Sequence, residues 1–196
     1  MIRVCGRLML LALLAVATPV CADPGFPKGW GGGTSRPQDY EFGTAPADGA
    51  TGKNAAYIKG KPGAAANAYF IMLQCIRADD YVGKRMRLSA RLKTVDSSGE
   101  QLFMRVDGPP AANGELNKVL SFYNMSDRPI RGTTDWKNYY VVLDVPQSAA
   151  KICFGFILVG GKGEAWADDF SLDAVSKDIP LSTVPPRSPF NLSFNQ

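Results

Sequence analysis

Two neighbouring carboxylates near the end of the chain are the first residues whose types and spacing suggest chemistry. In GKGEAWADDF (161–170), Asp168 and Asp169 follow Trp166 by two and three positions. Such a pair suits general acid–base work, a cation site, or the closing strand of a sheet. Two carboxylates acting on one glycosidic bond must face each other across roughly 5–10 Å with the substrate between them. In an extended strand neighbours point to opposite faces, so Asp168 shares a face with Trp166, Phe170 and Leu172, and Asp169 with Ala167, Ser171 and Asp173. On that parity the pair cannot share a substrate. Asp168 is instead expected to accept a backbone or arginine hydrogen bond at the end of the sheet, with calcium ligation as the alternative.

Other chemistry is limited by composition. The chain has no histidine, which removes Ser-His-Asp and Cys-His relays and histidine zinc sites together. Gly31–Gly33 lack the Lys-Ser/Thr and helix start of a phosphate loop. No enzyme activity is expected. The formal net charge is +4, half of it from Arg3 and Arg7, and no Lys/Arg tract provides a footprint for nucleic acid. Arg85, Arg87, Arg91 and Lys93 form a basic stripe along one segment and read as a solvated face.

The first residues carry those two arginines, an apolar run from Leu8 to Ala17 and the small triplet Val20-Cys21-Ala22. This is the pattern of a secretory signal, residues 1–22, cleaved after Ala22. Lipidation of Cys21 is the alternative. No stretch reaches the roughly 18 apolar residues a spanning helix requires. Export to a periplasm or beyond the cell places Cys75 and Cys153 in an oxidising compartment.

The elements that must position these residues are strands. Residues 40–42, 55–59, 69–76, 85–94, 101–106, 118–124, 137–145, 151–159 and 164–175 are short, rich in Val, Ile, Phe and Tyr, and separated by turn signals. In MRLSARLKTV, Met86, Leu88, Ala90 and Leu92 fall on one face and the charged residues on the other. KICFGFILV puts Ile152, Phe154, Phe156 and Leu158 on one side and Cys153 on the other. Residues 23–37 read as an extended Gly/Pro-rich lead-in, 38–175 as one all-β antiparallel sandwich, and 176–196 as a loosely docked Pro/Ser-rich tail.

The stretches GKNAAYIKG, AYFIMLQCI, GKRMRLSARLKT and the run from Trp136 to Val175 resemble, in this order, the galactose-binding-like jelly roll shared by many carbohydrate-binding modules. MRVDGP (104–109) and residues 121–146 are more narrowly similar to a bacterial family of such jelly rolls with no established ligand. The resemblance implies a non-catalytic module binding carbohydrate or a cell-envelope glycan; the alternative is a protein-interaction or structural role. Calcium-binding members open with a glutamate that GFPKGW lacks, so no cofactor is expected.

The resemblance also makes the strands bearing Cys75 and Cys153 neighbours and turns both cysteines outward. A cross-strand bridge and two separate thiols both remain open. The same sheet face is expected to carry Phe103, Arg105, Asp107 and Tyr123, with Asn124, Asp127, Arg128 and Arg131 supplied by the following loop. An aromatic platform beside paired polar groups suits a sugar ring and its hydroxyls. Trp30, Trp136 and Trp166 are expected in the core or at sheet edges.

Overall fold

The structure, a computed structural model, describes residues 23–34, 36–110 and 117–183. The expected signal sequence, its cleavage point and Cys21 lie outside the described residues, as does the tail from 184 to 196.

Alternation at every second residue becomes ten strands, paired antiparallel throughout: β1 (Asp23–Pro24), β2 (Gly31–Thr34), β3 (Tyr40–Pro46), β4 (Asn54–Gly60), β5 (Tyr69–Arg77), β6 (Arg85–Asp107), β7 (Val119–Tyr123), β8 (Ile130–Asp144), β9 (Lys151–Val159) and β10 (Glu164–Val175). The segments 85–94 and 101–106, read separately in the sequence, are the two halves of β6. The first half pairs with β10 and β8, the second with β9 and β7. Between Leu92 and Glu100 the ladder with β8 slips register three times, and Asp96 takes a φ of 48°. Here β6 leaves one layer for the other. The first sheet runs β1-β3-β4-β10-β6-β8 and the second β2-β5-β9-β6-β7, an antiparallel sandwich of jelly-roll type.

The inward faces meet in one core. Met86, Leu88 and Leu92 of the first sheet pack with Leu102, Met104, Ile152, Phe156 and Met72 of the second, all essentially without solvent contact. Each such side chain contributes about 1.5–3 kcal/mol relative to leaving it in water. Trp30 joins this core, its ring 4.9 Å from that of Phe170.

Within the extended lead-in, the triple glycine forms the edge strand β2 on β5. Absence of side chains is what permits it: a Cβ on Gly32 would stand 2.1 Å from the Ile71 carbonyl oxygen. Gly155 is equally confined, since a Cβ there would meet the Met72 carbonyl oxygen at 2.0 Å, and Phe103 lies opposite it.

Cys75 and Cys153 are directly paired in the β5–β9 ladder and joined by a disulfide, which closes the two alternatives in favour of the bridge. The described part of the tail is firmly held. Arg85 grips Asp144 through two nitrogens, at 2.8 and 2.9 Å, and donates to the carbonyls of Lys177 and Ile179. Beyond it Ser182 exchanges two hydrogen bonds with the Val142 backbone on the outer edge of β8.

Candidate functional site

The residues expected to share a ligand face are divided among three environments. Phe103, Arg105 and Asp107 do lie on the outer face of the second sheet. Phe103, however, is only 3 % exposed, and Asp107 is buried under Arg105 at 2.6 Å and Lys151 at 3.6 Å. Their neighbours are Ile71, Leu73, Phe122 and Ile157, which line an apolar groove of about 370 Å³. Tyr123 is not among them. It pairs with Met104 and so points into the core, because β7 places Phe122, its neighbour, outward opposite Arg105.

Two of the loop residues, Asp127 and Arg128, serve the same inward tyrosine. The Tyr123 hydroxyl donates to Asp127 at 2.7 Å and accepts from Arg128 at 3.0 Å, while Arg128 also donates to the Tyr140 carbonyl. Burial, then the Asp127 acceptor, raise the Tyr123 hydroxyl above its ordinary range. Asn124 accepts the Ser126 N–H within its own turn, and Arg131 donates to the Ser98 carbonyl. These side chains are spent on Tyr123 or on nearby backbone.

A different face combines aromatic rings with unspent polar groups. The outward residues of the first sheet come from four adjacent strands: Tyr57 on β4, Trp166 on β10, the stripe Arg87, Ser89, Arg91 and Lys93 on β6, and Trp136, Asn138 and Tyr140 on β8. Tyr57 and Trp166 stand 5.3 Å apart with their planes tilted by 36°. Arg91 lies over the Trp136 ring at 5.5 Å and reaches Thr51 at 3.1 Å, so its plane is fixed at two points. The Trp136 indole N–H is tied to the Asp48 carbonyl. Burial pushes the Glu164 carboxyl up, but Lys59 and the Trp166 indole outweigh it and hold it below the ordinary glutamate range. Trp136 and Trp166 are therefore half-buried parts of an open face, not core.

The middle of this face is a cavity of about 440 Å³ walled by Arg87, Ser89, Asn138, Tyr140, Asp169 and Ser171. Tyr140 is 53 % exposed, and among the described residues the side chains of Arg87, Asn138 and Asp169 have no hydrogen-bond partner. Ser89 and Ser171 touch across the floor at 2.8 Å.

The aspartate parity expected from sequence is broken by a β-bulge. The β10–β6 register runs Asp168↔Arg91 and then Ser171↔Ser89, so β10 spends one residue more than β6. Asp168 stays on the outer face with Trp166, Phe170 and Leu172 turn inward, and Asp169 and Ser171 both reach the cavity. Asp168 accepts the Thr51 backbone N–H at 2.6 Å. Among the described residues no three His, Cys, Asp or Glu side chains gather as a metal site. The period-2 pattern held no signal for this extra residue.

One further ionisable group is hidden. Glu100, at the bend of β6, is fully buried with neither carboxylate oxygen bonded among the described residues, and burial holds its carboxyl well above the ordinary range.

No family model matches the chain. An uncharacterized HTH-type transcriptional regulator of Bacillus subtilis strain 168 is 36% identical over 178 residues, covering 86% of this chain and 57% of the regulator. The chain thus spans little more than half of that relative. A helix-turn-helix requires two helices, whereas the described residues here contain only a 3-10 turn at Pro37–Asp39. Among solved structures, the enzymatically active domain of tailspike protein 4 from bacteriophage CBA120 matches with a TM-score of 0.54 at 13% identity, over 76% of this chain and 20% of that one. The CBM22-1 xylan-binding domain of a Paenibacillus barcinonensis xylanase matches with a TM-score of 0.46 at 13% identity, over 81% of this chain and 98% of the domain. At these identities the tailspike likeness is one of fold alone, and the lower score adds nothing to it.

Proposed function

We propose that this protein is an exported, non-catalytic carbohydrate-binding module that holds a glycan on the outer face of its first sheet. The observation that carries this reading is the polar cavity between Tyr140 and the Asp169 bulge. It offers donors in Arg87 and Asn138, an acceptor in Asp169, and an exposed ring to cover the C–H face of a pyranose. Along the face, Arg87, Arg91 and Lys93 on β6 alternate with Asp168, Asp169 and Asp173 on β10. Interspersed donors and acceptors match the hydroxyls of a sugar better than the uniform charge of a polyanion. Export is supported by the leader pattern and by the Cys75–Cys153 bridge.

The ligand face expected at Phe103, Arg105 and Asp107 is the weaker geometry, because its polar groups are paired and its floor is apolar. That face favours a second reading, contact with a protein, through Ile71, Leu73, Phe122 and Ile157. The Bacillus relative fits either reading: fused to a DNA-binding unit, such a domain would serve as a sensor, and alone as a binding module. Native gels cast with xylan, mixed-linked β-glucan, galactan or polygalacturonate test the proposal. Retardation of the wild-type protein that Tyr140→Ala abolishes supports it; uniform mobility in all four gels rejects it.

A further inference from the structure

Asp169 takes a left-handed backbone conformation that glycine would adopt at lower cost. Three non-glycine residues have positive φ among the described residues: Asp96 at 48°, Met125 at 52° and Asp169 at 54°. Asp96 sits at the bend of β6, where its N–H bonds to Thr133 and its carboxylate to Lys162. Met125 is buried in the loop that closes the sandwich, and its carbonyl accepts the Arg128 N–H. Asp169 lies inside β10 as Asp96 lies inside β6, but unlike that of Asp96 its carboxylate has neither a hydrogen-bond nor an ion-pair partner among the described residues. A bulge that places one residue in the left-handed region is best filled by glycine, which adopts it without the Cβ penalty. Backbone energetics therefore favour glycine here, and the chain carries a carboxylate.

The bulge explains what that carboxylate gains. Without the extra residue Asp169 would follow the strand's alternation to the opposite face; with it, the side chain enters the cavity wall beside Ser171 and across from Arg87 and Asn138. Strained backbone of this kind persists where a side chain must be aimed at a ligand.

We infer that Asp169 is the specificity-determining residue of this cavity. It accepts a hydroxyl of a neutral sugar whose adjacent oxygen takes a hydrogen bond from Arg87 or Asn138. This inference rests on the carbohydrate reading above and adds the ligand class: a neutral polysaccharide presenting a vicinal hydroxyl pair, with uronic acid polymers disfavoured by the carboxylate.

The test measures affinity and thermal midpoint together for the wild type, Asp169→Gly and Asp169→Asn, using xylan, mixed-linked β-glucan, galactan and polygalacturonate as probes. The expected result is binding of a neutral polymer by the wild type and at least tenfold weaker binding by both variants. Asp169→Gly should at the same time have an unchanged or raised midpoint, since glycine relieves the backbone. Wild-type binding that both variants retain would overturn the role of Asp169 and leave the carbohydrate reading standing, as would binding of polygalacturonate alone. A clear drop in the Asp169→Gly midpoint would mark the residue as structural and also refute the inference. Failure of the wild type to bind any of the four polymers would reject both readings.

Discussion

Cys75 stands directly opposite Cys153 on neighbouring strands, with Cα atoms 4.1 Å apart and a sequence separation of 78. The bridge therefore closes most of the domain into one loop. A loop of that size corresponds to about 4.5 kcal/mol of denatured-state entropy, and removing a native bridge from a small domain costs about 2–5 kcal/mol. Cys75→Ala combined with Cys153→Ala should lower the urea midpoint by an amount in that range. A double variant as stable as the wild type would show that the sandwich holds without its staple.

Glu100 should make stability fall as pH rises. Burial raises its carboxyl in the folded state, so the native protein keeps a proton that the unfolded chain releases. The stabilisation is fully present below the ordinary carboxylate range near ~4.3 and is lost as pH climbs through the raised folded value. Glu100→Leu should remove this slope and add on the order of 1–3 kcal/mol at pH 8, because no buried carboxyl then lacks a partner. Urea unfolding at pH 5 and pH 8 checks both parts; parallel curves for wild type and variant would contradict the assignment.

Gly155 is a packing residue. With the Met72 carbonyl oxygen 2.0 Å from where a Cβ would lie, Gly155→Ala must push β9 away from β5. Overpacking of this kind costs about 1–3 kcal/mol, with backbone as the obstacle putting the effect at the upper end. Thermal denaturation should show the loss, whereas Gly33→Ala, whose Cβ meets nothing within 4 Å, should be far milder.

Phe103 and Tyr140 should part in their effects. Phe103 is buried over Gly155, so Phe103→Ala is expected to cost roughly 3–5 kcal/mol of stability. Tyr140 is half in solvent, and Tyr140→Ala should change stability by less than about 1 kcal/mol while weakening glycan binding at least tenfold. Isothermal titration alongside unfolding separates the two; glycan affinity lost through Phe103 with the fold intact would return the ligand to the second sheet.

The strands were legible in the sequence wherever one face is dry and the other wet. Met86, Leu88, Ala90 and Leu92 alternate strictly with Arg87, Ser89, Arg91 and Lys93, and their burial follows that alternation. Tyr123 was misplaced because KVLSFYN puts two aromatics side by side, and period alone does not say which of Phe122 and Tyr123 turns inward. The pairing with β6 decides it, by setting Tyr123 opposite Met104. Gly31–Gly33 carry no side chains and so no alternation; only the proximity of β5 turns them into a strand.

By itself, then, the amino-acid order determined the all-β class, the inward residues of its longest strands and the outward Cys153, because each depends on local alternation. Tertiary structure decided which outward residues meet. Trp136, Asn138 and Tyr140 reach the Arg87–Lys93 stripe only through the β6–β8 ladder, and Asp169 joins them only because a single inserted residue resets the parity of β10. A bulge is a relation between two strands, and one strand's sequence does not contain it.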